Sequence, residues 1–535
     1  MASLPTIMGT TVRESDPARP NVLFIICDQL RADHLGFAGN DVVRTPNIDA
    51  IAANGTVFEN AFVNNPVCMP NRSTIMTGRM PSAHGVIFND RSLDPNVTTF
   101  VGQLRDAGWR TALIGKSHLQ HGESRAAIVD FGKTAGVRSP FAEGWDTIEH
   151  QERYEAGAVE DPDDFYGFGH IELAVGHGSF SGAHHYLWAR EQGVSHEDLR
   201  SGLDPNADIA GRSPDWWQVH PAPFSAEASS TTFVTERTIE FIEHSASSDD
   251  PWMAWCSFPD PHHPLAPPEP WFSRHDPAEI ELPSTFDDEG ADWPLHITVI
   301  RGLEPEPGGQ GQYVTPFGPT ATQTQQAIAV TYGMIEAIDD GIGKIIASLE
   351  STGELDNTII VFTSDHGDMM GDHGLMLKGG MHFQGCLRVP MVIHTPGGLP
   401  ARTDSLAASI DLPHTVLDLC GVAEFHGMQG VSLTPMIKDP QATVRTEVLI
   451  EDDFPIAEVL PLLPLKTRTL VTAQHRYTRD SNGHESLYDL VADPEELVNI
   501  AVDGRDPEAL RHVVSSLVDA MMRADDLTRT SPVSP

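Results

Sequence analysis

The chain has 535 residues, 40% of them hydrophobic, which is enough for a large buried core or for more than one domain. Asp and Glu number 76 against 34 Lys and Arg, so the formal net charge is −42 at pH 7. Such a field repels nucleic acid and other polyanions, although salt screens it beyond about 8 Å. An anionic substrate must therefore be small and must be bound by local cations.

The cysteines and the apolar runs indicate a cellular compartment. The five cysteines are scattered and odd in number, which argues against a disulfide framework. No apolar run is long enough to span a membrane. Residues 1–20 are polar and interrupted by prolines, without the apolar segment of a signal peptide. We therefore expect a cytoplasmic protein with no membrane partner.

The first predicted strand is the continuous apolar run 21–27, which is typical of a parallel strand covered on both faces. Asp28 and Gln29 follow it directly. Polar groups placed after a buried strand lie at the carboxyl edge of the sheet, where open α/β folds keep their sites. A simple helix cap is the alternative role for Asp28, and a second strand with the same ending would count against it.

The next elements lead to a cysteine motif. Thr45 and Pro46 begin a helix, with Thr45 as its N-cap, and residues 57–62 form a short strand. Cys68 then begins a Cys-x-Pro-x-Arg motif that ends at Arg72. A cysteine just before a short helix would have its thiolate favoured by the helix N-terminus and by a nearby arginine. A buried structural cysteine is the alternative.

A second predicted strand ends on basic side chains. A helix at 98–107 precedes the strand 111–114, which is followed by Lys116 and His118. The alternative is that these are solvated surface groups, as a lone Lys or His usually is. Residues 121–230 contain many Gly, Asp, His and Pro and few clear periods, so we expect an irregular excursion over the rim of the site.

The next predicted strand also ends near a polar side chain, and a long helix follows it. A helix at 232–244 leads to the strand 252–258, which ends before His262 among prolines that stop the strand. A long helix with apolar residues at helical spacing covers 325–349.

The following strand, 358–363, ends before Asp365 and His366, so a second apolar strand finishes on a carboxylate. Lys378 and another strand at 387–394 come next. This repetition favours a site at the sheet edge over isolated caps.

The C-terminal part changes character. Short segments and a turn-type Asn482-Gly483 predict a small antiparallel sheet, with strands at 446–450, 468–473, 475–478 and 486–490. A helix begins at Asp506. The predicted organisation is a tail at 1–20, a catalytic α/β domain at 21–444, a C-terminal α+β subdomain at 445–525 and a tail at 526–535.

The polar groups at the strand ends could converge on one edge of a parallel sheet. An oxygen-rich set suits a divalent cation such as Ca²⁺, Mg²⁺ or Mn²⁺; it comprises Asp28, Gln29, Asp365 and His366. Arg72, Lys116 and Lys378 are cations suited to a tetrahedral oxyanion. Spacing alone does not show that these residues meet, and ordinary loop positions are the alternative for half of them.

Together these motifs resemble the type I sulfatases of the alkaline phosphatase superfamily over roughly residues 21–522. The stretch 66–79 is similar to the signature in which the cysteine is oxidised to formylglycine (3-oxoalanine). Other matching motifs lie at 27–29, 45–49, 115–118, 261–264, 363–368, 371–374, 388–390, 487–490 and 493–496. The resemblance implies a large mixed, mostly parallel sheet flanked by helices, with a small C-terminal antiparallel sheet plus a helix.

The resemblance also implies hydrolysis of a small sulfate monoester. A formylglycine-generating enzyme would convert Cys68, and the hydrated aldehyde would be the nucleophile. The implied ligands of one Ca²⁺ or Mn²⁺ ion are Asp28, Gln29, Cys68, Asp365 and His366. The implied catalytic and substrate-binding residues are Arg72, Asn89, Lys116, His118, His262 and Lys378. Arg72 would steady the hydrate, and His118 would take a proton from its second hydroxyl.

One motif departs from many sulfatases, which have two successive aspartates where this chain has Asp28 and Gln29. This pair, with Asp365 and His366, is closer to phosphonate monoester hydrolases and choline sulfatases. A phosphonate monoester or phosphodiester is therefore the alternative substrate, and a non-catalytic binding protein on this scaffold is a third reading. The sequence leaves open the metal, the alcohol and the oligomeric state, a homo-oligomer included.

Overall fold

A large sheet and a small sheet organise the described part of the chain, which in this computed structural model comprises residues 19–122, 141–157, 159–290, 292–302, 317–454 and 466–525. The strands are β1 (Asn21–Cys27), β2 (Thr56–Phe62), β3 (Arg110–Gly115), β4 (His170–Val175), β5 (Gly182–Ala183), β6 (Trp252–Phe258), β7 (Thr358–Ser364), β8 (Met391–His394), β9 (Ala401–Ala408), β10 (Glu447–Asp453), β11 (Lys466–Thr472), β12 (His475–Asp480) and β13 (Glu485–Asp489). Within these residues the large sheet has the order β5-β4-β3-β6-β1-β7-β8-β2-β9, and the small one β10-β11-β12-β13.

The helices cover both faces of the large sheet. They are α1 (Pro46–Ala53), α2 (Cys68–Thr77), α3 (Pro81–His84), α4 (Phe100–Asp106), α5 (Gln151–Glu155), α6 (His184–Glu191), α7 (His196–Ser201), α8 (Ser230–Ser245), α9 (Leu295–Arg301), α10 (Ala321–Thr352), α11 (Gln384–Leu387), α12 (Asp411–Leu419), α13 (Thr434–Lys438) and α14 (Pro507–Ala524). Among the described helices, none combines the length and the apolarity that a membrane span needs.

Strand β1 lies at the centre of the sheet and explains why its sequence is apolar throughout. It pairs in parallel with β6 on one side and β7 on the other. Because successive side chains point to opposite faces, Leu23 and Ile25 pack with α1, α8 and α10, whereas Phe24 and Ile26 pack with α2, α4 and α12. Both faces of β1 are therefore buried, as predicted from the sequence.

The direction of the central strands brings the polar strand ends together. β3 pairs in parallel with β6 and with β4, so β4, β3, β6, β1 and β7 all run the same way. β8 is antiparallel to β7 and β2, and β2 is parallel to β9. The carboxyl ends of β1, β2, β3, β6 and β7 therefore share one edge, and the predicted mixed, mostly parallel sheet is confirmed.

The strand predicted at 387–394 is shorter than expected. Only Met391–His394 forms β8, while the short helix α11 ends at Leu387. Pro390 has no backbone N–H and so cannot donate to a sheet ladder. Val389 instead donates its N–H to the carbonyl of Ala61 at 3.0 Å. The predicted strand was too long because its apolar pattern continues across this proline.

The predicted cap of α1 has a different physical basis from the one expected. Thr45 does precede the helix, but its side chain makes no capping bond. Instead, the carboxylate of Asp339 on α10 accepts hydrogen bonds from the backbone N–H groups of Asn47 (3.0 Å) and Ile48 (2.8 Å). The helix N-terminus is thus satisfied by a residue almost three hundred positions away in the sequence.

The segment 121–230, predicted as irregular, contributes regular elements where it is described. Strand β4 alternates buried and more exposed residues and pairs with β3, extending the large sheet. Helices α5, α6 and α7 and strand β5 belong to the same segment, and α6 and β5 contact β4. Residues 123–140 lie outside the described residues, as do most of the predicted N-terminal tail and the tail at 526–535.

The small C-terminal sheet and its helix are confirmed. Its four strands pair antiparallel, and α14 packs against β10, β11 and β12. β10 also reaches the loop before Cys68, because the carbonyl of Glu451 accepts a hydrogen bond from the Asn65 side chain at 2.6 Å. The small sheet therefore supports the cysteine loop and is not a detached appendage.

Replacing Trp255 should test how strongly the central strand is anchored. Trp255 on β6 is fully buried and stacks on Phe24 at a centroid distance of 4.5 Å. We expect Trp255→Ala to lower the free energy of unfolding by about 3–5 kcal/mol, because truncation leaves a cavity. Urea denaturation measures this loss. Leu399→Ala, at a side chain 83% exposed, should leave the midpoint almost unchanged, and an equal shift in both variants would contradict the assignment.

Candidate active site

The cysteine motif meets two strand ends at the shared edge of the sheet. Cys68 is the first residue of α2, and its Sγ lies 3.1 Å from His366 Nε2 and 3.7 Å from Asp28 Oδ1. Donor atoms of these three residues and of Asp365 all lie within 4.8 Å of one another. All four residues are fully buried. The structure thus brings together four of the five residues that the sequence suggested as metal ligands.

This group has the chemistry of a cation site. Two carboxylates, an imidazole and residue 68 converge, and carboxylate oxygens and imidazole suit Mn²⁺ and related divalent ions. His366 Nδ1 lies 2.8 Å from the carbonyl of Gly367, which directs Nε2 towards Cys68. A ring nitrogen bonded to a backbone carbonyl is the usual support for a metal-binding histidine. The residues present therefore fit a divalent metal ion.

Arg72 lies one turn along α2 from Cys68 and therefore faces the same edge. Its Nε donates to Asp365 Oδ2 at 2.6 Å, and both side chains are fully buried. Nη1 donates to the Lys116 carbonyl and to Ser257 Oγ, both at 2.9 Å. Nη2 has no hydrogen-bond partner among the described residues. Arg72 thus compensates the charge of Asp365 and retains one free donor group.

Lys116 enters the site from the end of β3 and forms an ion pair with Asp28 Oδ2. Gly115 makes this approach possible: its φ is +102°, and a Cβ there would lie 1.9 Å from the Ser257 carbonyl. Burial opposes ionisation of Asp28, but the nearby cations Lys116 and Arg72 outweigh it. The pKa of Asp28 is therefore held well below its usual range, and the residue is a carboxylate.

His118 follows in a turn that is organised by a carboxylate the sequence did not single out. Glu149 is buried and accepts backbone hydrogen bonds from His118, Leu119 and Gln120 at 2.8–2.9 Å. His118 adopts a left-handed backbone with φ +54°, which is costly for a residue with a Cβ. Its Nδ1 is buried and has no hydrogen-bond partner in the described part of the chain. Glu149 therefore holds a strained turn that presents His118.

His262, Lys378 and Gln29 form the opposite wall. His262 Nδ1 lies 2.5 Å from the His263 carbonyl, so its Nε2 faces the Nζ of Lys378. Lys378 also contacts Gln29 Oε1, while Gln29 Nε2 donates to Asp368 Oδ2 at 2.5 Å. The Gln29 side chain thus bridges Lys378 and Asp368, and its backbone N–H donates to Asp365 at 3.0 Å. In this structure its amide oxygen is directed at Lys378.

Asn89 lies beside the start of α2. Its Oδ1 accepts a hydrogen bond from the backbone N–H of Met69 at 3.1 Å. Helix N-termini have unpaired N–H groups, and Asn89 satisfies one of them from outside the helix. Asn89 therefore borders the cysteine, as its predicted role requires.

His177 belongs to the site and was missed in the sequence. It follows β4 directly, stacks on His262 at a centroid distance of 3.7 Å, and places Nε2 3.9 Å from Asp28 Oδ2. The available signal was a histidine between Gly176 and Gly178 at the end of a short alternating strand. The surrounding segment appeared patternless, so the strand and its polar ending were not recognised.

The Lys378 loop depends on the small C-terminal sheet. Asp452 on β10 is fully buried, and its Oδ2 accepts from the backbone N–H of Gly380 at 3.3 Å. The same oxygen lies 3.1 Å from Nε2 of His382. These contacts fix the chain two residues beyond Lys378. No sequence pattern pointed to Asp452, because its partners are about seventy residues away.

The unmodified thiol of Cys68 is not activated, contrary to the expectation from its position before a helix. Burial, followed by the charge of Asp28, raises the pKa of Cys68 to about 11 despite Lys378 and Lys116. Arg72, the cation expected to favour the thiolate, is paired with Asp365. At neutral pH this cysteine is therefore a neutral thiol.

The site histidines are neutral as well. Burial is the largest cause that lowers the pKa of His118 and His177 well below the usual value, and Lys116 adds to it. Burial, followed by the neighbouring rings and Lys378, does the same to the pKa of His262. The positive charge of the site thus comes from its lysines and Arg72, while its imidazoles can accept protons or ligate metal.

Comparison with known proteins agrees with this geometry. The sulfatase family matches residues 20–422, and the family described as N-sulphoglucosamine sulphohydrolase, C-terminal, matches residues 371–524. An arylsulfatase of Clostridium perfringens is 28% identical over 493 residues, which cover 90% of each chain. The choline-sulfatase of Rhizobium meliloti is 27% identical over 508 residues, covering 91% of this chain and 84% of that protein.

A solved structure extends the similarity to the fold. The phosphonate monoester hydrolase of Agrobacterium radiobacter superimposes with a TM-score of 0.77 and 26% identity, over 95% of this chain and 97% of that one. Because the sulfatase match spans more than half of the sequence and includes every strand end that builds the site, the chain belongs to the sulfatase family of the alkaline phosphatase superfamily and is a sulfuric ester hydrolase.

Proposed function

We propose that the protein hydrolyses a small sulfate monoester to an alcohol and inorganic sulfate, with Cys68 converted to formylglycine by a formylglycine-generating enzyme. The observation that carries this proposal is the position of Cys68. Its Sγ lies at the start of a buried helix, within 4.8 Å of donor atoms from Asp28, Asp365 and His366. The inert thiol also supports the proposal, because a cysteine with a pKa of about 11 is a poor nucleophile at neutral pH.

A divalent metal ion fits between these donor atoms. Asp28, Asp365, His366 and residue 68 would hold it, and Gln29 would join them if its amide oxygen turned from Lys378. When bound, such an ion supplies positive charge that stabilises the oxygens of the ester and of the hydrated aldehyde. Ca²⁺ and Mn²⁺ are the ions that we propose for this position.

The cations of the chain would bind the sulfate group. Lys116 and Lys378 approach the cysteine from opposite walls, and each now contacts a residue of the proposed metal site. His262 Nε2 lies next to the Lys378 ammonium, so an ester oxygen placed there would accept a hydrogen bond from Lys378 beside the His262 ring. Preorganised donors of this kind stabilise charge that develops in the transition state. Lys378 and His262 are also placed to help the alcohol leave.

His118 would complete the cycle as a base. Its ring is neutral, and its buried Nδ1 has no hydrogen-bond partner in the described residues. A serine in place of residue 68 would leave a stable sulfate ester. The hydrated aldehyde instead retains a second hydroxyl, and removal of its proton by His118 expels sulfate and restores the aldehyde. Arg72 would hold the hydrate with its free Nη2 while it compensates Asp365.

Two features support a small substrate. The net charge of −42 disfavours polyanions, and the reacting group is fully buried at the edge of the sheet. Two of the similar proteins, an arylsulfatase and a choline-sulfatase, are also named for small sulfate esters.

Hydrolysis of phosphonate monoesters or phosphodiesters is the second candidate. The specific observation that favours it is Gln29, a neutral side chain beside Asp28 where an aspartate would add a negative charge. The similarity to phosphonate monoester hydrolases from Agrobacterium radiobacter and Silicibacter pomeroyi supports it further. A less negative metal site repels a more anionic phosphorus ester less strongly.

Mass spectrometry of the peptide that contains Cys68 tests the proposed nucleophile. Coexpression with a maturation enzyme should lower the mass of this peptide, because the aldehyde replaces the thiol. Cys68→Ala should abolish turnover of an aryl sulfate without unfolding the chain, since it removes the nucleophile and little volume. Cys420→Ala, at another buried cysteine, should remain active. Active enzyme that retains only the intact thiol at residue 68 would contradict this mechanism.

A leaving-group series tests His262 and Lys378. If they protonate or stabilise the departing oxygen, His262→Ala and Lys378→Ala should slow esters of poor leaving groups by roughly 10²–10⁴-fold and good ones much less. Rates across substituted aryl sulfates and an alkyl sulfate measure this dependence. His185→Ala is the matched control, because the ring of this buried histidine contacts the carbonyls of Ser181 and Ala228 instead. Equal losses for all esters would remove both residues from this role.

Exchanging Gln29 tests what sets the metal and substrate preferences. We expect Mn²⁺ to support activity at least as well as Ca²⁺, and measurable phosphorus-ester hydrolysis beside the sulfatase activity. Gln29→Asp adds one negative charge beside Asp28, so it should shift both preferences towards Ca²⁺ and sulfate. The measurement strips the metal, reloads each ion separately, and compares aryl sulfate with aryl phosphonate.

Gln29→Asn is the matched control for this experiment, because it changes the length of the side chain but keeps the neutral amide. It should lower activity while the metal ranking and the sulfate-to-phosphonate ratio stay close to wild type. An unchanged ranking and ratio in Gln29→Asp would show that the charge at this position does not determine them.

A further inference from the structure

A second group of potential ligands shares Asp28 and Cys68 with the group described above. Its other members are His177 and His262, and the four donor atoms again lie within 4.8 Å of one another. A thiol, two imidazoles and a carboxylate are ligands that zinc prefers, with a tetrahedral arrangement of four. We propose that the unmodified thiol form of this chain binds one Zn²⁺ ion through Cys68, His177, His262 and Asp28.

The two groups approach different oxygens of the shared carboxylate. His366 Nε2 lies 3.5 Å from Oδ1 of Asp28, whereas His177 Nε2 lies 3.9 Å from Oδ2, the oxygen that also pairs with Lys116. Both groups use Asp28 and residue 68, and the proposed zinc ion takes these two ligands together with the histidines of the second group. The zinc ligands are therefore an alternative to the oxygen-rich group and not a second centre beside it.

His262 is already oriented as a metal ligand. Its Nδ1 lies 2.5 Å from the His263 carbonyl, to which it donates, so Nε2 carries the free lone pair. Ligating histidines usually donate the other ring N–H to a carbonyl or carboxylate in this way. Nε2 now contacts Lys378, which is only partly buried. Lys378 can move aside into solvent without leaving an ammonium buried.

His177 provides independent support for a ligand at this position. Its Nε2 is buried and has no hydrogen-bond partner among the described residues. A buried polar atom without a partner is costly, and a bound metal ion would satisfy it. The ring stacks on His262 with an interplanar angle of 20°, which aligns the two imidazoles. At Gly178 a Cβ would lie 3.0 Å from the Pro264 carbonyl, so this close backbone approach holds the two histidine loops together.

The chemical state of residue 68 decides which of the two groups of ligands can bind a metal ion. In the thiol form, Zn²⁺ would displace the proton of Cys68 to solvent and bind the thiolate, a ligand that zinc favours. Conversion to formylglycine replaces the sulfur by oxygen and removes that ligand. The oxygen-rich group with Asp365 and His366 then remains. Zinc binding needs no formylglycine, so it holds or fails independently of the proposed catalytic function.

The test uses the full-length chain produced without a maturation enzyme, with the thiol verified by the mass of the Cys68 peptide. After removal of metals by a chelator, Zn²⁺ alone is added, and bound zinc per chain and its affinity are measured by elemental analysis and competition with a chromophoric chelator. We expect one zinc per chain. His177→Ala should weaken zinc binding by at least roughly 100-fold. Even the loss of a residue that only hydrogen-bonds to a metal ligand typically lowers metal affinity by about 10–100-fold, and His177 is proposed as a ligand itself.

His366→Ala removes a histidine of the other group and should weaken zinc binding much less than His177→Ala. His185→Ala is the matched control, since the ring of this buried histidine contacts the carbonyls of Ser181 and Ala228, and it should leave zinc affinity unchanged. Co²⁺ in place of Zn²⁺ should give a thiolate-to-metal charge-transfer band that Cys68→Ala abolishes. If His177→Ala fails to fold by circular dichroism, His177→Gln replaces it. Equal losses in the His177 and His366 variants would overturn the proposal, and so would zinc binding by the thiol form no tighter than by Cys68→Ala.

Discussion

The site depends on the pairing of two buried carboxylates with two buried cations. Asp28 and Asp365 follow neighbouring strands at the centre of the sheet, and both are fully buried. Lys116 pairs with the first and Arg72 with the second. Breaking such a pair by removing one partner typically costs 3–5 kcal/mol, because it leaves an uncompensated buried charge. Lys116 therefore keeps Asp28 ionised where burial alone would neutralise it, and Arg72 places a positive charge beside Asp365.

The same constraint connects the parts of the fold. Lys116 reaches Asp28 because β3 lies two strands from β1, and Arg72 reaches Asp365 because α2 packs across the end of β7. The small C-terminal sheet completes the arrangement through Asn65 and Gly380, which hydrogen-bond to β10 beside the cysteine and beside Lys378. A sulfatase site built in this way requires both sheets, although its charged groups come from the large one.

Two residues of the site, Gln29 and His118, have a strained backbone conformation. Gln29 and His118 have φ values of +66° and +54°, and each follows a strand end within three residues. Such conformations cost of order 1–3 kcal/mol and persist only where the surroundings hold them. Asp365 and Glu149 do so by accepting their backbone N–H groups. The electrostatic arrangement thus holds two polar side chains in directions that an unstrained chain would not favour.

The amino-acid sequence by itself determined the parallel core and most of the site. Continuous apolar runs such as 21–27 are stable only when both faces are covered, and the polar residues that follow them must then share one edge. Tertiary structure decided the rest, because the partners are distant in sequence. Asp339 caps α1, Glu149 holds the His118 turn, and His177 follows a strand in a segment without clear periods. The thiol state of Cys68 also emerged only in three dimensions, since burial beside Asp28 outweighs a helix N-terminus that the sequence alone would have favoured.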